Sequence, residues 1–146
     1  MDVPDPLLLD LLEQISVAAV AITTRALSEA SPGFDLTFPQ WRSLLVVGEH
    51  VDGARLSDVA GRVGVTLPAT SRHLQRLARR GLVEIGPDLL DRRASRVRLT
   101  PHGAAVRFRL VEFRRELLAT SIASLSISDE TLREVAAIAA SLAASG

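Results

Sequence analysis

Thr66-Leu-Pro-Ala-Thr-Ser-Arg-His-Leu-Gln-Arg-Leu-Ala-Arg-Arg-Gly-Leu-Val83, followed by Asp91-Arg-Arg-Ala-Ser-Arg-Val-Arg-Leu-Thr-Pro-His-Gly103, are the stretches that decide the fold of this 146-residue chain. Thr66 is placed to cap a helix, and Gly81 supplies the left-handed residue that stops it. Within that helix Thr70, Leu74 and Leu77 share one face and should pack inward. The opposite face carries Pro68, Ala69, Arg72, Gln75, Arg76 and Arg79. Ser71 and Arg72 lie near its amino end, the part of such a helix that reaches base edges in a major groove. Arg72 and Arg76 match guanine O6 and N7, and Gln75 matches adenine N6 and N7. Arg76 and Arg79 have a plainer alternative, which is to neutralise phosphates or solvate the helix.

Upstream, residues 56–63 form a short helical segment with Ser57 as a candidate N-cap and Gly64 beyond its end. Two short helices joined by the Gly64-Val65-Thr66 turn make a helix-turn-helix unit. Downstream, residues 82–85 and 96–99 read as strands joined by a loop containing Gly86-Pro87-Asp88 and Asp91. The hairpin tip presents Asp91, Arg92, Arg93, Ser95 and Arg96. Asp91 is placed to hold one guanidinium while another reaches a duplex. An extended arginine at such a tip fits a narrow minor groove, whose negative potential attracts it. The alternative is a solvated turn that touches no nucleic acid.

Formal charge hides this pattern, because 17 basic and 17 acidic residues cancel. Residues 55–115 hold 14 arginines against 5 acids, net +9, and the rest hold 3 arginines against 12 acids, net −9. A basic centre between acidic, apolar ends points to a polyanionic partner for the centre alone. Every basic residue is arginine, which suits phosphate and guanine recognition but also follows from a bias towards G and C in the codons. With no cysteine, disulfides, thiolate metal sites and thiol redox sensing are excluded. Apolar residues make up 47%, enough for a core, but aromatics are only 3%, so Leu, Val, Ile and Ala must fill it. No apolar run reaches the ~18 residues of a membrane span, and the amino end lacks a basic start. A cytoplasmic protein with no membrane partner is expected.

The flanks are helical. Residues 7–27 place Leu8, Leu12, Ile15, Ala19 and Ile22 at helical spacing but are apolar over more than one face, which suggests a partner chain. Thr37 and Gln40 form a capping box with Pro39 in the first turn of a second helix, carrying Trp41, Leu44, Leu45 and Val47 to about His50. Thr100-Pro101 opens a long helix to about Ser124, spanning roughly 36 Å at 1.5 Å per residue. Ser128-Asp129-Glu130 begins the last helix, with acids where the helix dipole favours them. The expected fold is mainly α with a small β wing: a winged helix-turn-helix at 37–100, with helical dimerisation arms at 1–36 and 101–146. The alternative for the arms is a monomeric helical core.

Leu-Ser-Asp-Val-Ala at 56–60, Ser-Arg-His-Leu at 71–74, Arg-Gly-Leu-Val-Glu at 80–84, Asp-Arg-Arg at 91–93 and Arg-Leu-Thr-Pro-His-Gly at 98–103 resemble the MarR (multiple antibiotic resistance regulator) family, in their order and spacing. The resemblance covers essentially the whole chain. It implies a dimeric, ligand-responsive transcriptional regulator, usually a repressor, on a palindromic operator. It carries Asp91 and Arg93 over as the wing's paired acid and arginine, and Pro68, Ala69, Ser71, Arg72, Gln75 and Arg76 onto the recognition helix. The full set expected to meet DNA is Ser57, Pro68, Ala69, Ser71, Arg72, Gln75, Arg76, Asp91, Arg92, Arg93 and Arg96. The family would also bind a small aromatic effector, here in a cleft lined by Trp41, Arg42, His50 and Phe113. Two departures stand out. Ile85-Gly86 replaces a basic continuation, and Leu89-Leu90 replaces polar residues before the wing tip, so one backbone contact is in doubt and the wing is expected to pack on something apolar.

No catalytic constellation is visible. His50, His73 and His102 fall in separate elements without an acid at metal-ligand spacing. No catalytic residue, metal or cofactor is expected. The rival reading is a winged-helix module used only for protein–protein assembly, without specific DNA binding.

Overall fold

Helix ends in this chain are written by threonine and glycine, and the computed structural model, which describes residues 5–30, 35–91 and 93–144, shows how. The first helix, α1 (Pro6–Glu29), is capped by the Asp5 carboxylate, which accepts the Leu7 N–H at 2.8 Å. The second, α2 (Phe38–Gly48), opens on the expected capping box: Gln40 N–H donates to Thr37 Oγ1 and Thr37 N–H to Gln40 Oε1. Thr66 and Thr100 likewise accept first-turn N–H groups at the starts of α4 (Leu67–Arg79) and α5 (Pro101–Ile122). Gly64 ends α3 (Leu56–Val63) at φ 75°, and Gly81 follows α4 at φ 68°. Both are left-handed conformations that a side chain would strain.

A two-residue strand, β1 (Ala54–Arg55), was not foreseen. It pairs antiparallel with β3 (Ser95–Leu99), which pairs with β2 (Val83–Pro87), in the order β1-β3-β2. The register sets Ala54 opposite Val97 and Ile85 opposite Val97 on the other side. This strand corrects the expected cap of α3. Pairing keeps the backbone extended through Arg55, so the helix starts at Leu56 and Ser57 falls inside its first turn, its hydroxyl 3.4 Å from Asp58 Oδ1. The wing strands also run two residues further towards the tip than expected on β2. Leu82 meanwhile belongs to the helix stop, donating its N–H to the Leu77 carbonyl at 3.0 Å.

Leu44, Val47, Val59, Leu74, Leu77, Leu82, Val97, Val106 and Leu110 are almost completely buried and come from α2, α3, α4, the wing and α5. The core therefore runs past residue 100 into the first half of α5. That junction is tight: a Cβ on Gly103 would sit 1.8 Å from the Leu82 carbonyl oxygen, while Thr100 Oγ1 donates to the Gly81 carbonyl at 2.6 Å.

The arms are different. Only Thr23 and Ala26 of α1 are buried, and α6 (Asp129–Ala144) buries none of its residues. Leu7, Leu9, Leu11, Ile15, Val17 and Val20 are exposed on α1, as are Leu132, Val135 and Leu142 on α6. Contrary to the expectation that no segment reaches the length of a membrane span, α1 is long and apolar enough to cross a membrane by length and composition alone, because its few charged residues interrupt the run without lowering its overall apolarity. Its carboxyl end is nevertheless tied to the core: Arg114 Nε of α5 donates to Thr23 Oγ1 at 2.8 Å, and the same guanidinium lies 5.7 Å from the Trp41 ring centre.

Candidate nucleic-acid interface

Helix α4 divides cleanly. Thr70, Leu74 and Leu77 are buried, while Pro68, Arg72, Gln75, Arg76 and Arg79 are on the open side; Ala69 and Ser71 lie at its amino end. Gln75 Nε2 donates to Ser71 Oγ at 3.4 Å. Among the described residues no carboxylate pairs with Arg72, Arg76, Arg79 or Arg93. Four guanidinium groups thus face outward with donors to spare, which suits phosphates and base edges. By contrast, Arg62 is paired with Glu49.

Ser57 and Arg93 come together although they stand far apart in the chain. With Arg55, Leu56, Leu67, Ala94 and Ser95 they line one open hollow of about 270 Å³, between the amino ends of α3 and α4 on one side and the wing on the other. A recognition helix and a basic wing flanking a groove of this kind can hold a nucleic-acid backbone strand between them. Arg92 lies outside the described residues.

The wing is organised by Asp88, which was not among the expected site residues. Its carboxylate is 1% exposed. Oδ1 accepts the Leu90 N–H at 2.8 Å and the Asp91 N–H at 3.3 Å, and Oδ2 lies 3.0 Å from both Arg55 Nε and Arg96 Nε. The Leu90 N–H, followed by the Arg96 and Arg55 guanidiniums, outweighs burial and holds this carboxyl at about 2, below its usual 3.8. Arg96, expected to meet DNA, also donates to the Gly53 carbonyl at 2.9 Å, so its guanidinium fastens the wing to the residue before β1. Asp91, expected to hold a guanidinium, instead accepts the Arg93 backbone N–H at 3.0 Å and shapes the turn. An acid within a hairpin tip is visible in the sequence. Its partner Arg55, 33 residues away, is not, because only the unforeseen strand β1 brings it there.

Trp41, Arg42, His50 and Phe113 do not form the single cleft expected of them. Trp41 is buried, 5.7 Å from Phe38 and beneath Arg114. Arg42 is exposed and donates to the Arg62 carbonyl at 2.8 Å. His50 lies past the end of α2 in a small hollow with Val51 and Arg98. Phe113 faces another, with Glu29, Phe108 and Glu116. Adjacent residues on a helix point about 100° apart, so Trp41 and Arg42 diverge, and His50 is beyond the helix altogether. Among the described residues no three His, Cys, Asp or Glu side chains gather to hold a metal.

Sequence comparison with curated proteins finds no match. Residues 34–94, from just before α2 to the tip of the wing, match the model of the MarR family. In structure the chain is similar to RV1404 from Mycobacterium tuberculosis, at 24% identity and a TM-score of 0.81, covering 97% of this chain and 95% of that one. It is also similar to the PcaV transcriptional regulator of Streptomyces coelicolor, solved with its natural ligand, at 26% identity and a TM-score of 0.67, with 100% of both chains covered. A third similar structure is MarR of Staphylococcus aureus in complex with salicylate and kanamycin, at 18% identity and a TM-score of 0.76, over 92% and 87% of the two chains. The matched segment holds the helix-turn-helix and the first wing strand, so over that part the chain is similar to the MarR family, and its fold is the winged helix of these structures.

Proposed function

We propose that the chain acts as a homodimeric, ligand-responsive repressor that binds a palindromic operator. Each protomer lays α4 in the major groove and its wing in the adjacent minor groove. The observation that carries this reading is the outward set Arg72 and Arg76 on α4 and Arg93 on the wing, without carboxylate partners among the described residues, with Arg93 lining the groove that also holds Ser57. Pro68, Ala69, Ser71 and Gln75 complete the major-groove face. Arg96 contributes by holding the wing in place. Residues 1–36 and 101–146 serve as the dimerisation arms and 37–100 as the DNA-binding part, with the first half of α5 shared between them. The exposed apolar residues of α1 and α6 support that division, since a two-fold dimer would cover them. A DNA partner places the protein in the cytoplasm.

Ligand response is supported by the ligand-bound relatives PcaV and S. aureus MarR. For a small aromatic effector, the hollow of about 340 Å³ between the end of α1 and the start of α2, lined by Thr24, Leu27, Leu36 and Phe38 among others, is a better host than the dispersed four-residue set.

Half-site spacing tests the dimeric reading. Two recognition helices on one face of the duplex require half-sites about 10 base pairs apart, centre to centre. With a duplex selected by the full chain from a random-sequence pool, inserting about five base pairs between half-sites, half a helical turn, should abolish specific binding. Undiminished affinity on the lengthened duplex would contradict it.

A further inference from the structure

Leu89 and Leu90 are 86% and 88% exposed, among the barest large apolar side chains described. They do not lie in a slack loop. Asp88 accepts the Leu90 and Asp91 N–H groups, the Asp88 N–H donates to the Ala94 carbonyl at 3.0 Å, and the Ala94 N–H returns to the Asp91 carbonyl at 2.9 Å. A hydrogen-bonded loop, anchored by a buried carboxylate to two arginines, holds both leucines away from the core. The wing, expected to pack its leucines on something apolar, leaves them open to solvent within this chain.

We infer that Leu89 and Leu90 are an apolar wedge that enters the minor groove beside Arg93 and pries open a base step, so that the operator is bent on binding. This rests on the DNA-binding reading above and adds a second mode of recognition to it. Three observations favour the minor groove as the occupant. The leucines are continuous with the proposed interface, standing immediately before Asp91 and the arginines of the wing tip. They share a hollow of about 320 Å³ with Arg96 and Arg98, beside Asp52 and the Asp88 that Arg55 and Arg96 neutralise, so Arg98 supplies next to them a guanidinium unpaired with any carboxylate among the described residues. Two leucines are also far too small a surface for a stable protein partner, which needs about 1,000 Å². A base step, by contrast, is opened by one or two inserted apolar side chains. Such a wedge reads deformability rather than base edges, and favours flexible pyrimidine–purine steps where the wing lands.

The test compares the full-length chain with its L89S/L90S and L89A/L90A variants on the duplex selected by the wild type. Affinity is measured across a salt series, and bending by energy transfer between dyes on the duplex ends. Wild type should bend the duplex. Both variants should keep its melting temperature, bind about tenfold more weakly, lose the bend, and retain the wild-type salt slope, because an apolar contact releases no counterions. Arg93→Ala is the contrasting control, expected to lower the slope. If Arg93→Ala weakens binding while both leucine variants bind and bend as wild type does, the wedge is overturned and the DNA-binding reading stands. If wild type selects no duplex, both fall. A change of oligomeric state in the leucine variants without a change in DNA bending would assign the pair to protein contact and overturn the wedge.

Discussion

The winged core and the helical arms obey opposite rules of burial. Between Leu36 and Leu110 apolar residues of successive helices and strands close on one another into one core, and the open face of α4 is polar or basic, although Leu89 and Leu90 of the wing stay bare. In α1, the outer half of α5 and α6, apolar residues stay in the open, and α6 buries nothing. The core thus closes within one chain, whereas the arms leave apolar surface uncovered, which the proposed dimer would bury. Mutations should therefore be felt in different places: core changes in folding, arm changes in assembly, and changes of the outward arginines of α4 and the wing tip in DNA affinity.

Deleting residues 126–146 should have the largest effect and break the comparison most sharply. Removing α6 takes away much of the exposed apolar surface of the arms while touching no buried residue. We expect light scattering to report monomer or aggregate, with the core still folded by circular dichroism. A truncated chain that stays a well-behaved dimer would remove α6 from the interface.

Leu74→Ala should act on the other side of the divide. Leu74 is fully buried at the centre of the core, and such truncations cost about 2–5 kcal/mol. Denaturant titration should show that loss, and an equal substitution at exposed Leu132 should leave folding nearly unchanged.

Arg72→Ala is expected to weaken binding to the selected duplex by about 1–3 kcal/mol and to relax one base preference, since this side chain sits near the start of α4 on its open side. Arg93→Ala should cost less. It should weaken binding evenly across sequences and lower the salt slope by about 0.9 for each phosphate no longer neutralised. Neither should move the melting temperature. A salt-series titration on the selected duplex and a one-base variant checks both.

The subtlest effect is one of pH. Asp88 titrates at about 2 in the fold against an ordinary 3.8, so the folded state favours its ionised form. Its contribution is present in full above about 4 and is lost as pH falls from there towards 2. Denaturation midpoints measured from pH 5 to pH 2 should fall more steeply for wild type than for Asp88→Asn. Parallel curves would show that the buried carboxylate does not couple to folding.

Much of this architecture is legible in the sequence because its signals are local. Thr37 with Gln40, Thr66, Thr100, Gly64 and Gly81 each fix a helix end through atoms a few residues away. The split faces of α4 follow from helical period alone. What is not legible depends on distant partners. Strand β1 is two residues long and exists because β3, far along the chain, pairs with it. The Asp88–Arg55 pair depends on that strand, and with it the hydrogen bonds by which Arg96 fastens the wing. The expected effector residues disperse for a related reason. Closeness along the chain, as at Trp41 and Arg42, does not make side chains converge in space, because the helix turns them apart.

The central claim is that two copies of this chain grip one duplex through α4 and the wing. A titration of the selected duplex with the full-length chain, across a salt series and with stoichiometry read by sedimentation, tests it most directly. Such a grip requires two chains per duplex and an association constant that falls steeply and linearly with salt on logarithmic axes. One chain per duplex, or an affinity indifferent to salt, would contradict it.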